Sequence, residues 1–154
     1  MMNNADMKKT RAQCIVYQGN KILMAQHHLG GQKWWCLPGG GVEHGETPYQ
    51  AALRELREEC CVEGVLLRKL NYTQFNAQDD THTFLVDIGD QIPRLGDDPE
   101  FYGREKVLIR VAWLSLREIP ERDRAFPWGS GLLCIPEFYA EVSDWGDNIS
   151  YPVK

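Results

Sequence analysis

The chain has 154 residues, 43 % of them hydrophobic and 25 % charged, and carries a net charge of -5. That length supports one domain with its own core and excludes two full-sized ones, while the composition excludes a disordered polymer. The acidic balance argues against a protein that grips nucleic-acid backbone, which needs a basic face.

The N-terminal MMNNADMKKTRAQ has no apolar run behind its lysines, and nowhere does the chain approach the roughly 18 apolar residues of a membrane span. A soluble, cytoplasmic protein with no membrane partner is the expectation. Residues 14–17 (CIVY) and 21–26 (KILMAQ) are β-prone runs joined by QGN, a hairpin whose turn residues tolerate positive φ. After HHLGGQK, residues 34–37 read as another strand, and Pro38 with three glycines is expected to end its ladder. ETPYQAALRELREECC then begins a helix, with Thr47 as N-cap, Pro48 at the first helical position and Gln50 completing a capping box. Ala52, Leu53 and Leu56 form its buried face.

VEGVLLRKLNYTQF, THTFLVDIG and KVLIRVAWLSL read as strands. The link GDQIPRLGDDPEFYGRE is long for a plain connection and is a candidate substrate loop. Residues 132–142, interrupted by Pro136, end in a short helix before a polar tail. One domain over residues 1–154 is expected, with 1–10 and 146–154 as flexible tails. Strands on either side of a helix suggest an α+β domain with a helix packed on a sheet. Five cysteines, an odd number without paired metal-ligand spacing, suggest free thiols.

RELREECCV, residues 54–62, places Glu55, Glu58 and Glu59 three and four apart near a helix C-terminus. Such neighbours repel one another, and the helix dipole opposes anions at that end. A solvated face balanced by Arg54 and Arg57 is one reading. The preceding PGGGVEHGE suggests another, because glycines let backbone carbonyls approach a ligand. Carboxylates with a carbonyl are hard oxygen donors for Mg2+ or Mn2+, with substrate phosphate completing the shell.

These residues resemble the signature of the Nudix hydrolases, G-x5-E-x7-R-E-U-x-E-E-x-G-U, where U is a bulky aliphatic. Gly40, Glu46, Arg54, Glu55, Leu56, Glu58, Glu59 and Val62 fill eight of its nine specified positions, and Cys61 stands where the family has glycine. The run WWCLPGGGVE before the box and WLSLREIP after it are similar to the family too. The resemblance implies a Nudix-type α/β/α sandwich with a mixed central β-sheet and the box as loop-helix-loop. It implies that Glu55, Glu58 and Glu59 ligate a metal with the Gly40 carbonyl as fourth donor, that Arg54 orients Glu55, and that Glu46 stands in the outer shell. It further implies hydrolysis of a pyrophosphate bond in a nucleoside diphosphate joined to another group, by water acidified at the metal. The proton then goes to Glu58, Glu59 or a loop carboxylate, with Glu100 and Glu105 as candidates ahead of Asp97 and Asp98.

Trp34 and Trp35 point to opposite faces of a strand, so one suits the core and the other a nucleobase; Tyr72, Phe75 and Phe101 are weaker candidates. His27, His28, His44 and His82 lack a zinc-motif spacing and read as ordinary residues. ADP-ribose hydrolases of the family resemble one another in a proline shortly after the box, and none occurs here between Pro48 and Pro93. A small nucleotide, such as a modified nucleoside triphosphate, is the expected substrate and partner, with a homodimer allowed. The alternatives are a nucleotide sensor without catalysis and a pyrophosphohydrolase of RNA 5′ ends.

Overall fold

On the first strand Ala12 and Cys14 bury into one apolar cluster, which Val16 joins just beyond it, and Ile15 turns to another. The structure is a computed structural model that describes residues 8–96 and 107–145. In chain order it contains β1 (Lys9–Ile15), β2 (Tyr17–Gln18), β3 (Lys21–Leu29), β4 (Gln32–Cys36), β5 (Gly39–Gly41), α1 (Pro48–Cys60), β6 (Val65–Gln74), β7 (Asp79–Asp87), β8 (Leu108–Ser115), α2 (Glu121–Gly129), a 3-10 turn (Leu132–Cys134) and α3 (Pro136–Ser143).

One four-stranded sheet runs β5-β1-β7-β6, with β1 and β7 parallel and the other pairs antiparallel. In the second sheet β3 pairs with β8 along one edge and with β2 and then β4 along the other. Helix α1 covers one side through Ala51, Ala52, Leu56 and Cys60, which meet Cys14, Leu23, Phe84 and Val86. Phe138, Leu132 and Ile135 cover the other side against Ile15, Ile22, Met24 and Leu85. The result is the expected α/β/α sandwich, except that its mixed layer is divided between two sheets.

Four local expectations change. Cys14 and Ile15 close β1, and the hairpin keeps Tyr17–Gln18 and a bond from Leu23 N–H to the Val16 carbonyl (2.9 Å), because the chain passes from one sheet to the other at Val16. The glycines after Pro38 do not end pairing but form β5 on β1. Lys9 and Thr10 are strand rather than tail, since β1 pairs with β7 from Lys9 onward, and Lys8 is tied to Asp80 (2.9 Å); residues 1–7 and 146–154 lie outside the described residues. Helix α2 is absent from the sequence reading because the residues it buries are Asp123, Arg124 and Pro127, so it has no apolar stripe to detect.

Helix α1 starts as expected. The Thr47 hydroxyl accepts from Gln50 N–H (3.3 Å), and the Gln50 side chain accepts from Thr47 N–H (2.9 Å). It ends at exposed Cys61, which takes the left-handed conformation (φ 59°, ψ 35°) normal for glycine. A side chain held there costs about 1 to 2 kcal/mol. Cys61→Gly is therefore expected to raise the unfolding free energy by about 1 kcal/mol in a urea titration, and to leave catalysis unchanged. A destabilised variant would mean that the thiol itself supports this cap.

Candidate active site

Helix α1 turns two of its three box glutamates inward. Glu55 and Glu59 lie one turn apart on the flank of its buried face and are 5 % and 2 % exposed, whereas the Glu58 side chain is 28 % exposed. A purely solvated acidic face is thereby excluded. Buried carboxylates need hydrogen-bond partners, and β5 and Arg54 provide them.

The β5–β1 ladder is defined by bonds from Cys14 N–H to the Pro38 carbonyl and from Val42 N–H to the Thr10 carbonyl, both 2.9 Å, with Gly40 opposite Ala12. Alternate residues of an antiparallel strand turn their N–H and C=O toward the partner or away from it. Gly40 therefore faces β1, and Gly39 and Gly41 face the open edge. There Gly39 N–H donates to Glu59 Oε1 (2.8 Å), and the Gly41 carbonyl accepts from Arg54 Nη2 (3.0 Å). In this register the Gly40 carbonyl belongs to the ladder, and Gly39, whose N–H bonds Glu59, turns its own carbonyl to the open edge. Gly40 matters sterically instead, because a Cβ there would stand 2.5 Å from Glu55 Oε1.

Arg54 gathers the remaining carboxylates. Nε donates to Glu46 Oε2 (2.8 Å) and Nη2 to Glu46 Oε1 (3.0 Å), while Nη1 donates to Glu55 Oε1 (2.9 Å) and Glu58 Oε2 (3.2 Å). The bidentate bond to Glu46 is the strongest kind of ion pair. It raises the guanidinium pKa further and holds the Glu46 carboxyl below its usual range. At the end of α1, Arg94 N–H donates to the Cys60 carbonyl and Gly96 N–H to the Glu59 carbonyl, each at 2.9 Å. These amides meet the negative helix end that would otherwise face the carboxylates. Gly96 crosses so close to the Glu58 carbonyl that a Cβ would overlap it.

The two tryptophans separate as strand neighbours must. Trp35 is 8 % exposed in the core on the α3 side, and its backbone N–H donates to buried Asp123 Oδ2 (2.9 Å). Its expected substrate role is therefore corrected to a structural one. Trp34 stacks on His27 with ring centroids 5.7 Å apart. His27 Nε2 lies 3.8 Å from Glu59 Oε2, and Nδ1 lies 3.2 Å from Cys36 Sγ. Trp34, His27 and Glu59 thus form one wall. The spacing of His27 signals nothing, because β3–β4 pairing and the packing of α1 bring it here from a distance in sequence. His44 lines an open groove of about 500 Å³ with Glu43, Glu46 and Arg54. His82 packs with Tyr72 and Lys69 on β6 and β7. Glu100, Glu105, Asp97, Asp98 and Phe101 lie outside the described residues.

Among the described residues no three His, Cys, Asp or Glu side chains converge at ligating distance: Glu55 and Glu58 turn to Arg54, and Glu59 to Gly39 N–H. The donor chemistry still suits a hard cation, since several carboxylates and an outward carbonyl crowd around one guanidinium. An ion held there would compete with Arg54 for Glu58, the most exposed of the three. Among the described residues no helix is long and apolar enough to cross a membrane.

A family model for the NUDIX domain matches residues 7–133. An RNA pyrophosphohydrolase of Azorhizobium caulinodans is 41 % identical over 51 residues, which are 33 % of this chain and 30 % of that protein. A Mycobacterium tuberculosis protein described as "Putative mutator protein MutT4" is 32 % identical over 93 residues, 60 % of this chain and 37 % of that protein. The matches span only about a third of those relatives' lengths. A solved NUDIX hydrolase from Nitrosomonas europaea shares the fold with a TM-score of 0.61 at 23 % identity, over 77 % of this chain and 63 % of that one.

Proposed function

The chain belongs to the NUDIX family, and from that premise we propose that it hydrolyses a pyrophosphate bond in a nucleotide with the help of Mg2+ or Mn2+. The observation that carries this reading is the set of box glutamates held between Arg54 and the open edge of β5. Glu55, Glu58, Glu59 and the Gly39 carbonyl would hold the ion, which when bound neutralises phosphate charge and acidifies a water.

The chain's own residues do the rest. Arg54 fixes the Glu55 carboxylate and is itself fixed by Glu46. Gly39 N–H orients Glu59. Glu58 or Glu59 receives the proton of the attacking water, and Trp34 offers its ring to the base. The substrate we favour is a nucleoside triphosphate, in keeping with the acidic charge of the chain.

The matches to RNA pyrophosphohydrolases support a second reading, a 5′-triphosphorylated RNA end. Assays with nucleoside triphosphates, diphosphate sugars, dinucleoside polyphosphates and triphosphorylated RNA, with Mg2+ or with chelator, test both. The expected result is metal-dependent turnover of a triphosphate with a shallow salt dependence. Steep loss of affinity with salt and turnover of RNA alone would select the second reading. Nucleotide binding without product, with or without metal, would leave only a sensor.

A further inference from the structure

Glu58 and Glu59 sit on the last turn of α1, where helices fray because the final carbonyls have no intrahelical partner. Their like charges favour opening of that turn. One segment, distant in sequence, holds it closed. The Gln91 side chain accepts from Glu63 N–H (2.9 Å) and donates to the Glu63 carbonyl (2.7 Å). A few residues later Arg94 N–H donates to the Cys60 carbonyl and Gly96 N–H to the Glu59 carbonyl, each at 2.9 Å. The Arg57 carbonyl is served from the helix end itself, by Cys61 N–H at 3.0 Å. The Glu58 carbonyl lies against Gly96, so closely that a Cβ would overlap it. Gly96 does not have a positive φ, so close approach rather than backbone conformation is what requires glycine there.

We propose that Gly96 is a positioning residue: it lets residues 94–96 lie flat on the end of α1, which fixes the last turn and presents Glu58 and Glu59 to a divalent ion in one arrangement. A site that must first close its last turn binds more weakly, in proportion to the fraction of time it spends open. Ligands ordered beforehand avoid that loss. A purely electrostatic role for the same amides has the opposite sign. The bare C-terminal end of a helix is partly negative and favours cations, so removing the amides through charge alone would tighten metal binding. Removing them through geometry weakens it.

The inference rests on the proposed metal-dependent reading, and its test separates the two. Mn2+ binding is measured by calorimetry on the full chain without nucleotide, beside thermal melting without metal, for wild type, Gly96→Ala, Arg94→Pro and Gly64→Ala. Arg94→Pro removes the N–H bonded to Cys60 from an exposed residue and leaves Gly96 in place. Gly64→Ala is the packing control, because a Cβ there would overlap the Val86 side chain rather than a carbonyl of the last turn. Gly96→Ala is expected to weaken Mn2+ about 10- to 100-fold, the range for partners one step behind a metal ligand. Arg94→Pro is expected to weaken it less, and Gly64→Ala to lower the melting temperature with Mn2+ affinity unchanged. Unchanged or tighter Mn2+ binding in Gly96→Ala would overturn the role of Gly96. So would an equal loss in Gly64→Ala, which would mark the effect as general loosening. Arg94→Pro decides by the same measure if Gly96→Ala does not fold. No Mn2+ binding by the wild type would instead overturn the metal-dependent reading itself.

Discussion

Glu59→Gln is expected to lower turnover by about 10²- to 10⁴-fold, the range associated with a positioned proton acceptor, while leaving the melting temperature within a few degrees of wild type. The fold tolerates the change because glutamine matches the shape of glutamate, and its carbonyl oxygen still accepts from Gly39 N–H, the 2.8 Å bond that anchors this side chain. What disappears is a negative charge from a side chain only 3 % exposed. At such a site the charge is out of reach of solvent. Glu58→Gln is expected to lose turnover as well, with an even smaller effect on stability because Glu58 is the most solvent-accessible of the three. Steady-state rates at saturating Mg2+, read beside melting curves, check both variants. Full turnover in both would defeat the assignment of roles.

Arg54→Ala is expected to cost the fold about 3 to 5 kcal/mol at neutral pH, the magnitude seen when one partner of a buried ion pair is removed. The Arg54 side chain is 13 % exposed and donates to Glu46, Glu55, Glu58 and the Gly41 carbonyl. Removing it leaves Glu46, Glu55 and Glu58 facing one another without their cation. Lysine cannot reproduce the fork, so Arg54→Lys should recover only part of the loss.

The pH dependence has a definite sign. Arg54 holds the Glu46 carboxyl below its usual pKa in the wild type, so this stabilisation is present above the ordinary carboxylate value of about 4.3 and is lost as pH falls through the lowered folded value. In Arg54→Ala that cause is gone, so Glu46 no longer gains stability from ionising beside the guanidinium. The gap between wild type and variant should therefore be widest near neutrality and narrow toward acid, as denaturant titrations at a series of pH values would record. A gap independent of pH would mean that Arg54 acts through packing alone.

The box was legible because its chemistry is local. Thr47, Pro48 and Gln50 start α1 through bonds that span three residues, and Arg54, Glu55, Glu58 and Glu59 are neighbours on consecutive turns whatever the rest of the fold does. The three-layer architecture was legible only through the family resemblance, since the order of strands and helices by itself gave a helix packed on a sheet. The parts that were missed depend on partners distant in sequence. Helix α2 buries polar residues, and Asp123 is satisfied by Trp35 N–H 88 positions away. The difference between Gly39 and Gly40 depends on which residue of β5 pairs with Ala12, a matter of register that a run of three glycines cannot express.

From its sequence alone the chain determines a helix that starts at Thr47 and carries an acidic stripe with its arginine, since both follow from covalent neighbours and helical periodicity. Tertiary structure decides the rest: that Glu55 and Glu59 are buried rather than solvated, that Trp35 is core while Trp34 is wall, and that His27 stands against Glu59. Each of these is set by how α1 docks on β5, β1 and the β3–β4 pair. The physical reason is that burial and charge environment belong to surfaces brought together in folding, and no single stretch of chain contains both sides of such a contact.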